Sequence, residues 1–139
     1  MSSLVISGDT SGTITLQAPT VAGATTITLP NTSASMGYLN IPAVGSKTSS
    51  YTLSTVDVGK YVEVGTSGSI VIPTNTFTQG DAVTIYNNTT STIAITCSAP
   101  TTYISGINTV KTSMNLQSRG LVTLLFTSPT FCVASGAVA

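Results

Sequence analysis

The chain has 139 residues, enough for one domain with a short appendage, and its four basic and four acidic residues cancel. Charged residues make up 6% of it, where about 25% is usual. The eight, Asp9, Lys47, Asp57, Lys60, Glu63, Asp81, Lys111 and Arg119, form no run or patch, so the electrostatic footprint of a nucleic-acid binder is missing.

Serine and threonine take the place of charge, at 46 positions. Hydroxyls solvate such a surface, and neighbouring copies repel each other little. The longest apolar stretch, "LVTLLF" at 121–126, is far too short to cross a bilayer, so no membrane partner is expected. The N-terminus lacks a basic region followed by an apolar one, so no signal peptide is expected. The protein is then expected to stay in the cell that makes it or to leave by another route, such as inside a lysing particle.

Hydrophobic periodicity is two almost everywhere. "TITLQA" places Ile14, Leu16 and Ala18 on one face and Thr13, Thr15 and Gln17 on the other, and "TTITL" repeats this with Ile27 and Leu29. Residues 1–32 read as two or three short strands forming an extended β arm. A two-stranded ribbon is marginal alone in water, so the arm is expected to fold against something else. Residues 33–50, rich in small residues, read as a linker with a brief anchor at Tyr38, Leu39 and Ile41.

From Tyr51 strands recur at short intervals. "KYVEV", "GSIVIP", "AVTIYN" and "TIAITC" come first; after a looser region follow "SMNLQ", "GLVTLLFT" and "FCVA". The expectation for 51–139 is an all-β domain of about eight strands, an antiparallel β-sandwich or jelly roll. "GTSGS" at 65–69 reads as a hairpin loop, since no helix or phosphate-cradling lysine follows it.

Few residues could carry chemistry. There is no histidine, which removes Ser-His and Cys-His nucleophiles and His-based metal sites together. Cys97 and Cys132 lie in apolar segments and read as buried free thiols rather than a disulfide. Paired carboxylates could cut glycosidic bonds. Of the candidates, however, Asp57 sits at a turn ahead of a glycine and Asp81 at a hairpin-type turn, and Glu63 points off a strand face opposite two valines. Lys60 and Arg119, each beside a glycine at a strand start, read as solvated strand ends or intersubunit ion pairs, and Tyr38, Tyr61, Tyr86 and Tyr103 as half-buried packing. The sequons at Asn31, Asn87 and Asn88 are what seven asparagines in a Ser/Thr-rich chain give by accident. No catalytic residue, metal ligand or cofactor is expected.

"GYLNIP" at 37–42 followed by "YTLSTVDVGKYVEV" at 51–64 resembles a module of bacteriophage structural proteins often labelled tail-fibre proteins. In that pattern Tyr-Thr-Leu leads to Asp-x-Gly-Lys and an aliphatic strand, then an apolar–Pro pair, a Phe-x-x-Gly hairpin and a closing strand near a C-terminal glycine. The matching positions are Tyr51, Thr52, Leu53, Asp57, Gly59, Lys60, Ile72, Pro73, Phe77, Gly80, Val133 and Gly136. The front repeat is similar to "SGTITLQAP…TTITLP" stretches of phage and cyanophage virion proteins, and together the two similarities span most of the chain. The resemblance implies an exterior virion component, made in the host cytoplasm, commonly trimeric and without catalytic residues. Fibre proteins usually carry a longer shaft upstream of the module than this chain does, which favours compact attachment to a shell.

The expectation is therefore a non-enzymatic capsid decoration or cement protein, assembling as a homotrimer. It would hold the phage major capsid protein through an arm interface formed by Ile14, Leu16, Ile27 and Leu29. The alternative is a short tail fibre or receptor-binding protein, docked on a tail or baseplate protein. It would offer loops such as "YNNTTST" and "TSGSI" to a host-surface glycan. A polysaccharide-cleaving enzyme stands third, disfavoured by the missing histidine and sparse carboxylates.

Overall fold

A strand that alternates aliphatic and hydroxyl side chains carries one apolar row, and two sheets laid face to face cover such rows together. The computed structural model describes residues 3–7, 11–17, 41–99 and 101–139. Every regular element among them is a strand, apart from one 3-10 turn at Thr55–Asp57. The chain divides into two units, Met1–Gly37 and Tyr38–Ala139.

In the first unit, β1 (Ser3–Ser7) and β2 (Thr13–Gln17) pair as an antiparallel ribbon, with Leu4 opposite Leu16 and Ile6 opposite Ile14 in the ladder. Val5 and Ile6 are consecutive and so point to opposite faces. Each is 52% exposed. Ile27 and Leu29 of the second "TITL" lie outside the described residues, as do Tyr38 and Leu39 of the expected anchor.

The second unit runs β3 (Ala43–Lys47), β4 (Ser50–Thr52), β5 (Tyr61–Val64), β6 (Ser69–Ile72), β7 (Ala82–Asn87), β8 (Ile93–Cys97), β9 (Thr101–Ile104), β10 (Ser113–Leu116), β11 (Leu121–Ser128) and β12 (Phe131–Gly136). Six strands form one sheet in the order β3-β5-β7-β11-β12-β9, and four form the other in the order β10-β8-β6-β4. From β3 to β10 each successive strand changes sheet. β3, β5 and β7 are parallel neighbours, and so are β4, β6 and β8. The chain thus winds as a coil whose turns give one strand to each sheet, at roughly 20 residues per turn. Only then do β10, β11 and β12 pair antiparallel, on β8, β7 and β11 respectively, with β9 parallel to β12 at the edge.

The molecule is all-β and its two sheets share one core, but the pairing is mixed rather than antiparallel. Period-two burial does not separate the two cases, because strands of either kind turn alternate residues inward. Three further expectations change with this. The stretch 33–50 holds β3 and the first residue of β4, and Ile41 is 48% exposed instead of anchored. "GTSGS" joins β5 to β6 across the two sheets, so it is a corner and not a hairpin. The looser region after Cys97 contains β9.

The core takes Val62, Val64, Val83, Ile85, Val122 and Leu124 from the larger sheet and Ile70, Ile72, Ile95, Met114 and Leu116 from the smaller, all nearly inaccessible. Phe77, in the loop before β7, stacks on Phe126 of β11 at 4.0 Å between ring centres. Two of the four sheet edges are covered by the chain itself. On β9, Lys111 N–H donates to the Thr102 carbonyl (2.7 Å) and Ile107 N–H to that of Ile104 (2.9 Å). On β10, Asn115 exchanges backbone bonds with Ala139, and Gln117 N–H donates to Ala137.

The β5–β6 corner fixes a glycine by close approach. Gly68 N–H donates to Gly65, and a β-carbon on Gly68 would lie 2.2 Å from the Lys47 carbonyl oxygen of the preceding coil turn. Gly68→Ala is therefore expected to lose about 2 kcal/mol or more by forcing the turns apart. Gly106→Ala, where φ is +81° but nothing lies within 4 Å, should lose only the roughly 1 kcal/mol of an unfavourable backbone. Urea denaturation of both variants measures the difference.

Candidate functional site

Of the three carboxylates that sequence singles out, Asp57 and Asp81 each hold a separate piece of backbone, and Glu63 meets a side chain. Asp57 is fully buried where β4 leads toward β5. It accepts from Ser54 N–H (2.8 Å), Ser54 Oγ (3.3 Å) and the Tyr51 hydroxyl (3.0 Å). Burial raises the Tyr51 pKa, and the hydrogen bond to Asp57 raises it further, so the phenol keeps its proton as donor. Lys47 covers the Tyr51 ring, its Nζ 4.3 Å from the centre. Asp81 accepts from Thr78 N–H (2.8 Å) and Oγ1 (3.2 Å) in the β6–β7 corner. Glu63 accepts from Asn88 Nδ2 at 3.0 Å. Asp57 and Asp81 are turn locks, as their places near glycine suggest. Among the described residues no three of His, Cys, Asp and Glu gather as a metal would require.

Arg119 stands apart from Lys60. Its backbone is left-handed (φ 55°), and its guanidinium donates to the Asn88 carbonyl at 3.1 Å and to the Asn88 side-chain oxygen. Asn88 thus ties Arg119 to Glu63 across an exposed surface, and the Tyr86 hydroxyl reaches the same oxygen at 3.4 Å. Beside this chain lies a concavity of about 490 Å³, lined by Thr66, Ser67 and Ser69 of one corner, Thr90 and Ser91 of another, and Arg119. It joins the two loops the sequence offers as contact loops, "TSGSI" and "YNNTTST". A second concavity, about 470 Å³, is apolar: Tyr103 tilts against Phe131 at 5.4 Å beside Ile107 and Val133. Tyr61, Tyr86 and Tyr103 are all half-buried. Of the arm residues, Ile14 and Leu16 lie on β2, while Ile27 and Leu29 are outside the described residues.

Sequence reading meets Asn87 only as part of a sequon and gives it no structural part. It continues the inward row of Val83 and Ile85 and is fully buried. Its amide donates to the carbonyls of Ser91 (2.8 Å) and Gln117 (2.8 Å), and its oxygen accepts from Thr89 N–H (3.0 Å) and Oγ1 (2.8 Å). One side chain therefore closes the β7–β8 corner and fastens it to the end of β10. The signal in the sequence is a polar residue two places after Ile85, in phase with the buried row.

Cys97 and Cys132 are free and buried. Burial pushes the Cys97 thiol up to about 11, against a smaller opposing effect of a hydrogen bond with Thr102. Burial pushes Cys132 up to about 12, with a further rise from the neighbouring Cys97. Neither is a thiolate at neutral pH, so neither is poised as a nucleophile.

No known protein-family model matches the chain, and no curated protein matches it. The residues carrying the phage-module resemblance can still be placed, and they build the fold. Asp57 locks a corner, Gly59 takes φ 73° and Gly80 φ 94°, and Phe77 is buried on Phe126. Gly136, at φ 147°, brings its α-carbon so near the Leu121 carbonyl that a side chain would meet it at 2.2 Å.

Two outcomes follow. Asn87→Ala should cost about 3 kcal/mol in urea denaturation by orphaning several buried backbone groups, whereas Asn88→Ala, at an exposed position, should stay within about 0.5 kcal/mol. The thiols give a pH dependence of definite sign. With both folded-state values raised, the unfolded chain releases these protons first, so the thiols' contribution is intact below about pH 9. It is lost as pH climbs through about 11 and then 12. Replacing both cysteines by alanine should flatten that alkaline decline, as followed by denaturation at stepped pH.

Proposed function

We propose that this chain is a non-enzymatic structural protein of a bacteriophage virion, a capsid decoration protein that attaches through its N-terminal β arm and assembles as a homotrimer. The observation that carries the reading is the β1–β2 ribbon, which holds Val5 and Ile6 half exposed on opposite faces. A two-stranded ribbon with apolar side chains on both faces is marginal alone and gains stability when further polypeptide covers it. The charge-poor surface supports the same reading, because many copies can crowd a shell without mutual repulsion. The phage-module resemblance supplies the setting.

A second reading is favoured by a specific observation. The hydroxyl-lined concavity formed by the 65–69 and 88–92 corners with Arg119 would suit a short tail fibre that meets a host-surface glycan.

Removing residues 1–32 tests the arm. Among the described residues the buried core lies between Leu53 and Ala134, so the truncated protein should fold yet no longer bind purified virions in a sedimentation assay. Undiminished binding would overturn the arm's role. Quantitative mass spectrometry of virions should find copy numbers on the scale of the shell protein; a count on the scale of a tail component would replace decoration by the fibre reading.

A further inference from the structure

We propose that the concavity between the 65–69 and 88–92 corners is a binding site for a carboxylate-bearing sugar of a surface glycan, with the Arg119 guanidinium receiving the carboxylate. The inference rests on the glycan reading of this concavity given above and names the sugar chemistry. It holds for copies on a shell and on a tail alike.

The site lies where three connections between the sheets gather, β5 to β6, β7 to β8 and β10 to β11. Each is tied to its neighbours. Asn88 N–H donates to the Val64 carbonyl (2.9 Å), Arg119 N–H to the Thr89 carbonyl (3.1 Å), and the buried Asn87 amide to the Gln117 carbonyl (2.8 Å). Gly68 N–H closes the first corner on the Gly65 carbonyl at 3.0 Å. The walls are therefore built before any ligand arrives, and binding has little chain left to order. The volume of about 490 Å³ falls within the roughly 300–1,000 Å³ of small-ligand sites.

Arg119 is the one charged side chain in the lining. Only its Nη1 has a partner among the described residues, and both acceptors belong to Asn88. Asn88 gives its own Nδ2 to Glu63 at 3.0 Å, which turns its side-chain oxygen to the arginine. The Nε and Nη2 hydrogens, side by side on one edge of the planar group, stay uncommitted. Such an edge meets the two oxygens of a carboxylate in parallel bonds. A single cation, with the Glu63 carboxylate on the far side of Asn88, suits a monoanion; a phosphate monoester carries about −1.5 to −2 at neutral pH and calls for more positive charge.

The remaining lining suits sugar hydroxyls. The Thr89 hydroxyl is committed to Asn87 and to the Ser91 carbonyl. Those of Ser67 and Ser69 on one wall and of Thr90 and Ser91 on the other have no partner among the described residues. Each can donate and accept at once, as a sugar hydroxyl does. Ser67 and Arg119 also hold left-handed backbone, at φ 65° and 55°. Glycine would make either turn at less cost, so both positions carry a side chain that the turn does not ask for.

The test applies the full-length protein to an array of bacterial surface oligosaccharides. The array holds uronic-acid-bearing members, the same members with the carboxyl groups reduced to alcohols, neutral members and phosphorylated ones. Binding confined to the acidic members, and weakened about tenfold or more by carboxyl reduction, is expected. Arg119→Gly should weaken it by a similar factor and leave the urea midpoint unchanged, because glycine takes φ 55° freely. Neutral members bound as well as acidic ones, or binding untouched by Arg119→Gly, would overturn the carboxylate assignment and leave the glycan reading standing. Preference for the phosphorylated members would overturn it in favour of a phosphate site. If the intact protein binds no oligosaccharide, the glycan reading fails and takes this inference with it.

Discussion

A chain that changes sheet after nearly every strand must turn many corners, and the backbone polar groups at those corners are partly shut away from water. Each buried N–H or C=O left unmet costs about as much as a hydrogen bond is worth, or more. This protein meets the requirement with short polar side chains. Asp57 takes three donors at one corner, Asp81 two at another, and Asn87 closes a third while bonding to the end of β10. Among the described residues no buried side-chain polar atom is left without a partner. The core between the sheets is ordinary aliphatic packing; the corners decide that the chain coils instead of folding back on itself.

That division explains what the sequence discloses. The inward rows were readable because one face of each sheet meets solvent, which preserves alternation even in the parallel part, where strands covered on both faces would read as unbroken apolar runs. Direction of pairing was not readable. A four-residue connection such as 65–68 suits a hairpin as well as a corner, and only the approach of Gly68 to the Lys47 carbonyl separates them. β3 was hidden by its own bulge at Gly45 and Ser46, and β9 because its inward row begins with Thr102, a hydroxyl that bonds back to Ala99 at 3.3 Å. Asn87 was hidden for a related reason: a polar residue in phase with Val83 and Ile85 reads as the end of the buried row.

The candidate surface site was legible only in pieces. Glu63 and Arg119 each stand out as rare charges, but they meet through Asn88. That meeting depends on β5 lying parallel to β7 with Val64 beside Asn87. The motif residues behave differently. Asp57, Gly59, Phe77, Gly80 and Gly136 all serve turns or packing, so a resemblance carried by them speaks first to a shared way of folding. The step from there to a virion rests on the ribbon and the uncharged surface, which are independent of the motif.

A coil also has two unlike ends, and each needs its outer edge kept from pairing further. Stacked repeats need a cap where stacking stops. The last strands here carry one, made of the 105–112 loop over β9 and the 137–139 tail over β10. At the other end of the described coil β3 is blunted by its register break between Ala43 and Ser46, with Gly45 at φ 95°, so the two ends are closed by different means, a covering segment at one and a bulge at the other.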